Sequence, residues 1–217
     1  MICTLISLAR AALFVSVLGV TPVPSTIEVP RGRAPTIDGV VHTAEWKGAV
    51  VRPLEGGGRA YFLHDSTDLF IGLADLPGTG WGYGAAMLGS PDTILVLHAS
   101  AKVGSAVYVS DGDSSTKIWR PVSKSYAWKE PARLFAEEGW LADVAPRDGS
   151  KGREFRIARR MLGDRRLAIA YIVQTTGENS TTVRLPASFA IDKRVPEGWN
   201  PDSIAISPEA WMPLRWK

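Results

Sequence analysis

The chain has 217 residues, 45% of them hydrophobic and 22% charged, which is ample apolar material for one packed core and a weak basis for two domains. Its 25 basic and 22 acidic residues nearly balance and no dense Lys/Arg stripe runs along it, so the electrostatic footprint of a nucleic-acid binder is missing. The only cysteine, Cys3, excludes a disulfide framework, a thiolate nucleophile or a cysteine metal site in the body of the chain.

Residues 1–19 read as an export signal: no acidic residue, Arg10, then the apolar run Ala11 to Val20 before Thr21-Pro22. About ten such residues are too few to span a bilayer, which takes about 20. The expectation is a protein that is secreted, periplasmic or held at the cell surface, with no membrane span after cleavage near Gly19. The remaining domain occupies 26–217.

Within that domain, Thr26 to Val29 reads as a first edge strand and Pro30 to Pro35 as a loop. Asp38-Gly39 reads as a turn, and His42 to Lys47 as a helical turn with Glu45 and Trp46 on opposite sides. Strands are predicted at Ala60 to His64, Leu69 to Ala74, Thr93 to His98, Ala106 to Ser110, Lys117 to Pro121, Ser125 to Trp128 and Arg133 to Glu137. Further strands are predicted at Trp140 to Val144, Arg153 to Ala158, Leu167 to Gln174 and Thr182 to Leu185. Met161 to Arg166 reads as a turn of helix. Ile94 to Leu97 and Leu167 to Val173 are apolar on both faces, as suits central strands covered on both sides. Many short strands, frequent Gly and Pro and no long helix predict an all-β fold, an antiparallel β-sandwich of jelly-roll or immunoglobulin-like kind.

The tryptophans divide by neighbourhood. Trp46 follows Glu45 in a short turn between sheet elements and reads as core, as does Trp140 after Glu138-Gly139; Trp211 and Trp216 read as covering the bottom of the sandwich. Trp81, in Gly78-Thr-Gly-Trp-Gly-Tyr-Gly84, and Trp199, in Pro196-Glu-Gly-Trp-Asn-Pro-Asp-Ser203, sit among residues that keep loops exposed. An exposed indole can lie against the apolar face of a pyranose while polar neighbours hold its hydroxyls. Asn200, Asp192 and Arg184 are the candidate polar partners, and a solvated, salt-bridged rim is the other reading of the last two. Trp119 and Trp128, interleaved with Arg120, Lys124 and Lys129, read as a binding face or as the wet side of a strand.

Asp111 and Asp113, in Asp111-Gly-Asp-Ser-Ser-Thr116, gather hard oxygen donors that would suit a structural calcium, without the spacing of an EF-hand loop. Asp65 and Asp68 flank a turn and read as acceptors of backbone hydrogen bonds. His42, His64 and His98 are too scattered for a metal triad, and no nucleophile elbow, His-Glu-x-x-His or phosphate loop occurs. No residue is therefore assigned a catalytic role.

Four stretches, in order, resemble the family 9 carbohydrate-binding modules and the wider DOMON-like sandwiches. They are Pro35-Thr-Ile-Asp-Gly39 with Glu45-Trp46, Phe62-Leu-His-Asp65 with Asp68-Leu-Phe-Ile71, Asp92-Thr-Ile-Leu-Val96, and Gly152-Arg-Glu-Phe-Arg-Ile157, where Ala158 stands in place of the family's usual proline. The resemblance spans most of the chain after residue 25. It implies an exported, non-catalytic module that binds oligo- or polysaccharide, works beside a separate glycoside hydrolase and carries no cofactor beyond a structural calcium. In sugar-binding members two tryptophans sandwich a terminal sugar. Trp199 resembles the later of them; the earlier has no counterpart in register, where this chain has Leu88 to Asp92, and Trp81 lies nearby. Other readings stay open: a structural or protein-binding sandwich, and a haem-binding electron-transfer domain with Met87 or Met161 and His64 or His98 as axial ligands.

Overall fold

The computed structural model describes residues 26–78, 82–100, 103–110, 118–127, 131–144, 152–173, 181–189, 204–205 and 211–217. Strand β1 (Ile27–Val29) is followed by β2 (Val50–Pro53), β3 (Arg59–His64), β4 (Asp68–Ala74), β5 (Gly82–Gly89), β6 (Thr93–Ala99), β7 (Val103–Ser110) and β8 (Ile118–Ala127). Helix α1 (Pro131–Glu138) then precedes β9 (Trp140–Val144), β10 (Arg153–Ala158), a 3-10 turn at Arg159–Met161, β11 (Arg166–Val173), β12 (Thr181–Leu185), β13 (Ile204–Ala205) and β14 (Leu214–Trp216). Two antiparallel sheets form the all-β sandwich: a five-stranded one in the order β2-β3-β4-β10-β9 and a seven-stranded one in the order β12-β11-β5-β6-β7-β8-β13. The pair β1 and β14 runs parallel and packs beside the β3–β4 turn, where Arg31 bridges to His64.

Period-two alternation sorts side chains between layers. Phe62, Ile71, Phe155 and Ile157 from one sheet meet Leu88, Leu97, Ile169 and Val183 from the other, all fully buried. The intervening residues of the central strands are apolar too, as their sequences predict. Ala85, Met87, Ile94, Val96, Ala168 and Ala170 form a second buried layer on the outer face of the seven-stranded sheet, under Phe189 and Trp211.

On the outer face of the five-stranded sheet, Trp46 packs against Tyr61, Leu63 and Phe70, at 3% exposure. Three of the stretches singled out in the sequence meet here. The Glu154 carboxylate accepts the backbone N–H groups of Asp38 and Gly39, each at 2.9 Å, and the Trp46 indole N–H at 2.9 Å. Glu45 points the other way and accepts from the Thr36 hydroxyl at 2.9 Å. Gly72 makes room for the indole: a Cβ there would lie 2.9 Å from both Trp46 Cζ2 and Val41 Cγ2. Gly72→Ala is therefore expected to overpack this layer by about 2 kcal/mol, lowering the melting temperature by about 6 °C and shifting tryptophan emission to the red. An unchanged melt would show that Trp46 is not seated on Gly72.

Asp65 behaves as its sequence position suggests, with Oδ1 accepting from the N–H of Thr67 at 2.7 Å and of Asp68 at 2.8 Å, while Asp68 pairs with Arg156 at 2.6 Å. The structure corrects the sequence reading in three places. Arg133 to Glu137 is helix rather than strand, since Pro131 opens α1 and Gly139, at φ 79°, closes it with its N–H on the Phe135 carbonyl. The two strands expected at Lys117 to Pro121 and Ser125 to Trp128 are the single strand β8, with a bulge opposite Val107 and Tyr108 that tolerates Pro121. Strands β2, β5, β13 and β14, absent from the sequence reading, pair with β3, with β6 and β11, with β8 and with β1 respectively.

The β2–β3 turn reaches across to the other sheet. Glu55 and Arg184 exchange backbone hydrogen bonds, both at 3.0 Å. Gly56, at φ 89°, permits the approach, because a Cβ would lie 2.5 Å from the Thr182 carbonyl.

Candidate functional site

Of the residues proposed for ligand binding, Arg184 lies within the described structure, and its place follows from local pattern. In Thr181-Thr-Val-Arg-Leu185, Val183 and Leu185 point into the core, so Arg184 takes the opposite face, in register with Ala170, Ala85, His98 and Gly104 across successive strands. That row has small residues for a floor. A turn with the Phe189 N–H on the Pro186 carbonyl at 2.9 Å then sets Phe189 on the same face, edge-on to Trp211 at 5.4 Å between ring centroids.

Trp211 is held there by its neighbour. Met212 exchanges backbone hydrogen bonds with Leu167 at 2.9 and 3.0 Å and buries its side chain in the core, which turns Trp211 outward, opposite Ala168. The expectation that Trp211 covers the bottom of the sandwich is thus corrected to a place in the outer layer of the seven-stranded sheet. Trp211 is fully buried, and among the described residues its indole N–H and the buried Arg184 Nε have no hydrogen-bond partner. His98 is 2% exposed, with Nε2 2.9 Å from the Ser100 hydroxyl. Burial, reinforced by the Arg153 charge, pushes its imidazole down to about 3, so it is neutral near pH 7.

A second cluster lies at the end of the sandwich where β5 begins. Arg153, 6% exposed, donates to the Gly82 carbonyl at 2.9 Å and the Gly152 carbonyl at 2.6 Å, with its guanidinium 5.4 Å from the centre of the Tyr171 ring. Burial lowers its proton affinity. Gly82 is obligatory, since a Cβ would fall 1.9 Å from the Tyr171 hydroxyl oxygen. Arg153 thereby ties the two sheets together at the residue that follows Trp81. Neither Arg153 nor Trp211 carries a sequence signal for its role; Arg153 is foreshadowed only as a charge at an inward position of a strand.

Trp81, Trp199, Asn200, Asp192, Asp111 and Asp113 lie outside the described residues. The residues that flank the stretch bearing Asp192, Trp199 and Asn200 are described: Phe189 sits on the outer layer, and Ile204–Ala205 pairs with β8 at the far edge of the same sheet. Trp46 and Trp140 are buried in the core, as their sequence context predicts. Trp216 lies under the Arg159 guanidinium, 4.6 Å from the ring centre, and edge-on to His64. Both ring nitrogens of His64 face backbone oxygens, of Asp65 at 2.6 Å and Lys217 at 2.9 Å. Met87 shares the outer face with His98, two residues along the strand pair.

A surface hollow of about 370 Å³ beside Thr26, Val50 and Arg52 is crossed by the Glu28–Lys217 ion pair at 2.5 Å. No group of three or more His, Cys, Asp or Glu side chains among the described residues is arranged to hold a metal ion. No helix among them is long and apolar enough to cross a membrane. No family model, no curated protein and no solved structure matches the chain.

Proposed function

We propose that this protein is an exported, non-catalytic carbohydrate-binding module of the family 9 type, which takes a saccharide between exposed indoles and orients it with hydrogen bonds from neighbouring polar side chains. The observation that carries the reading is the joint at Glu154. Asp38-Gly39, Trp46 and the strand around Glu154 are distant in sequence and are among the stretches that carry the resemblance, and they meet in one hydrogen-bonded unit. The placement of Arg184 adds support, because it stands on the same sheet face as Phe189, ten residues before Trp199 in the sequence.

Burying roughly 100 Å² of sugar and indole contributes about 2.5 kcal/mol, and each hydrogen bond to a charged group about 1.5 to 3. Set against an association cost of at least about 4 kcal/mol, this gives roughly micromolar to millimolar affinity. Short xylo- or cello-oligosaccharides are expected to quench or blue-shift tryptophan fluorescence, and Trp199→Ala to abolish the response while the melting temperature stays within about 2 °C. The burial of Trp46, Trp140 and Trp211 favours a second reading, in which the indoles serve packing alone and the sandwich is a scaffold. Silence across a broad glycan panel would establish that reading in place of the first.

A further inference from the structure

A second hollow, of about 220 Å³, opens between the turn that follows β10 and strand β14, lined on one side by residues 162–166 and on the other by Pro213, Leu214 and Trp216. Hydrogen bonds within the fold fix both walls. In the turn, the Leu162 N–H reaches the Arg159 carbonyl at 3.0 Å and the Arg165 N–H the Leu162 carbonyl at 2.7 Å, while the Arg165 guanidinium donates to the Met161 carbonyl. Opposite, Met212 exchanges backbone hydrogen bonds with Leu167, and the Pro213 carbonyl accepts from the Ile27 N–H at 2.9 Å. Gly163 leaves the way in open, since a Cβ there would meet no described atom beyond its chain neighbours within 4 Å.

A hollow below the roughly 300 to 1,000 Å³ of a drug-sized pocket takes one small group rather than a chain. Its walls decide which. Arg165 and Arg166, both half-buried, line it against a single acid, the exposed Asp164. Adjacent residues of a strand face opposite ways, and it is the turn ahead of β11 that brings two consecutive arginines to one place. Concave walls concentrate the field of such charges, which draws in an anion and repels a cation. Each guanidinium carries five N–H donors, so contacts made elsewhere in the fold leave others to give. A carboxylate has two oxygens and is filled by one guanidinium fork, whereas a sulfate or phosphate group has oxygens on every side and can take both arginines at once. Pro213 and Trp216, with the Arg159 guanidinium 4.6 Å from the indole ring centre, offer a surface for whatever carries that group. We propose that this hollow binds a tetrahedral oxyanion, a sulfate or phosphate group, borne on an organic carrier that lies against Trp216.

The test is a nitrogen–proton NMR titration of the whole chain, at fixed ionic strength, with sodium phosphate, D-glucose 6-phosphate and D-glucose in parallel, with Trp216→Phe used to identify the Trp216 indole resonance among the eight tryptophans. Both phosphates are expected to move the Nε–H resonances of Arg165 and Arg166, and glucose 6-phosphate to move the Trp216 indole as well, while glucose leaves all three in place. Arg165→Gln is expected to weaken both phosphates at least fivefold. Because that change also removes the hydrogen bond to Met161, Asp164→Asn supplies a gain that no folding defect can produce: with the acid at this exposed position neutralised, both phosphates are expected to bind about threefold more tightly. No response to either phosphate, or an affinity unchanged in Asp164→Asn, would overturn the site. A response to inorganic phosphate with the Trp216 indole unmoved by glucose 6-phosphate would overturn the carrier and assign the hollow to the free ion. The sugar reading stands or falls separately, on neutral oligosaccharides and Trp199.

Discussion

Glu154→Ala is expected to lower the unfolding free energy by about 4 kcal/mol, a large share of the roughly 5 to 15 kcal/mol that holds a domain together. Glu154 is fully buried, and three donors converge on its carboxylate. Alanine leaves the Gly39 N–H and the Trp46 indole N–H with no acceptor in a dry layer, each at about 1–3 kcal/mol, while the half-buried Asp38 N–H can be hydrated. Glu154→Gln is gentler. Its carbonyl can serve the two backbone donors, but its NH₂ then meets the Trp46 indole N–H donor to donor, so about half the loss is expected. Urea unfolding followed by tryptophan fluorescence measures both; a loss under 1 kcal/mol for alanine would show that the joint does not hold the Asp38-Gly39 turn and Trp46 in place.

The second large effect is a pH dependence hidden by compensation. Burial pushes the Glu154 carboxyl up to about 7, against the pull of its three donors, while burial drives His98 down to about 3. Between pH 4.5 and 7 the folded chain keeps a proton on Glu154 that the unfolded chain has lost, so this group makes stability fall as pH rises through that window. Between pH 3 and 6.5 the unfolded chain carries a proton on His98 that the folded chain refuses, so this group makes stability rise with pH. Each slope is about 1.4 kcal/mol per pH unit where it acts alone. The two cancel from about pH 4.5 to 6.5, giving a plateau that drops on the acid side through His98 and slightly on the alkaline side through Glu154. Glu154→Gln should convert the plateau into a steady rise from pH 3 to 6.5, and His98→Gln into a steady fall from pH 4.5 to 7. Thermal melts in a buffer series check both, and a plateau surviving in either variant would refute the assignment.

The strands legible in the sequence were those whose side chains speak for themselves, such as Ala60 to His64 and Leu167 to Val173, where branched and aromatic residues satisfy the pleat. Strand β5, Gly82-Tyr-Gly-Ala-Ala-Met-Leu-Gly89, has almost none of these, and its conformation is imposed by β6 and β11 on either side. Arg133 to Glu137, an apolar run of three between two charges, is too short to show a helical period, and the deciding signals, Pro131 and Gly139, stand outside the window. Arg184 was legible because one strand's alternation fixes its face. Trp211 was not, because its direction is set by a two-residue bridge to Leu167, forty-odd positions earlier. Glu154 looks like an ordinary charge on a strand; only the fold brings Asp38, Gly39 and Trp46 to it.

The tie between Glu55 and Arg184 also bears on how copies of this protein behave at high concentration. A free outermost strand is a template onto which another chain can add, and growth by such addition ends in fibrils. Here the middle of β12 already has its outward amide and carbonyl engaged by Glu55 of the same molecule, so that flank of the seven-stranded sheet is closed to polymerisation from within.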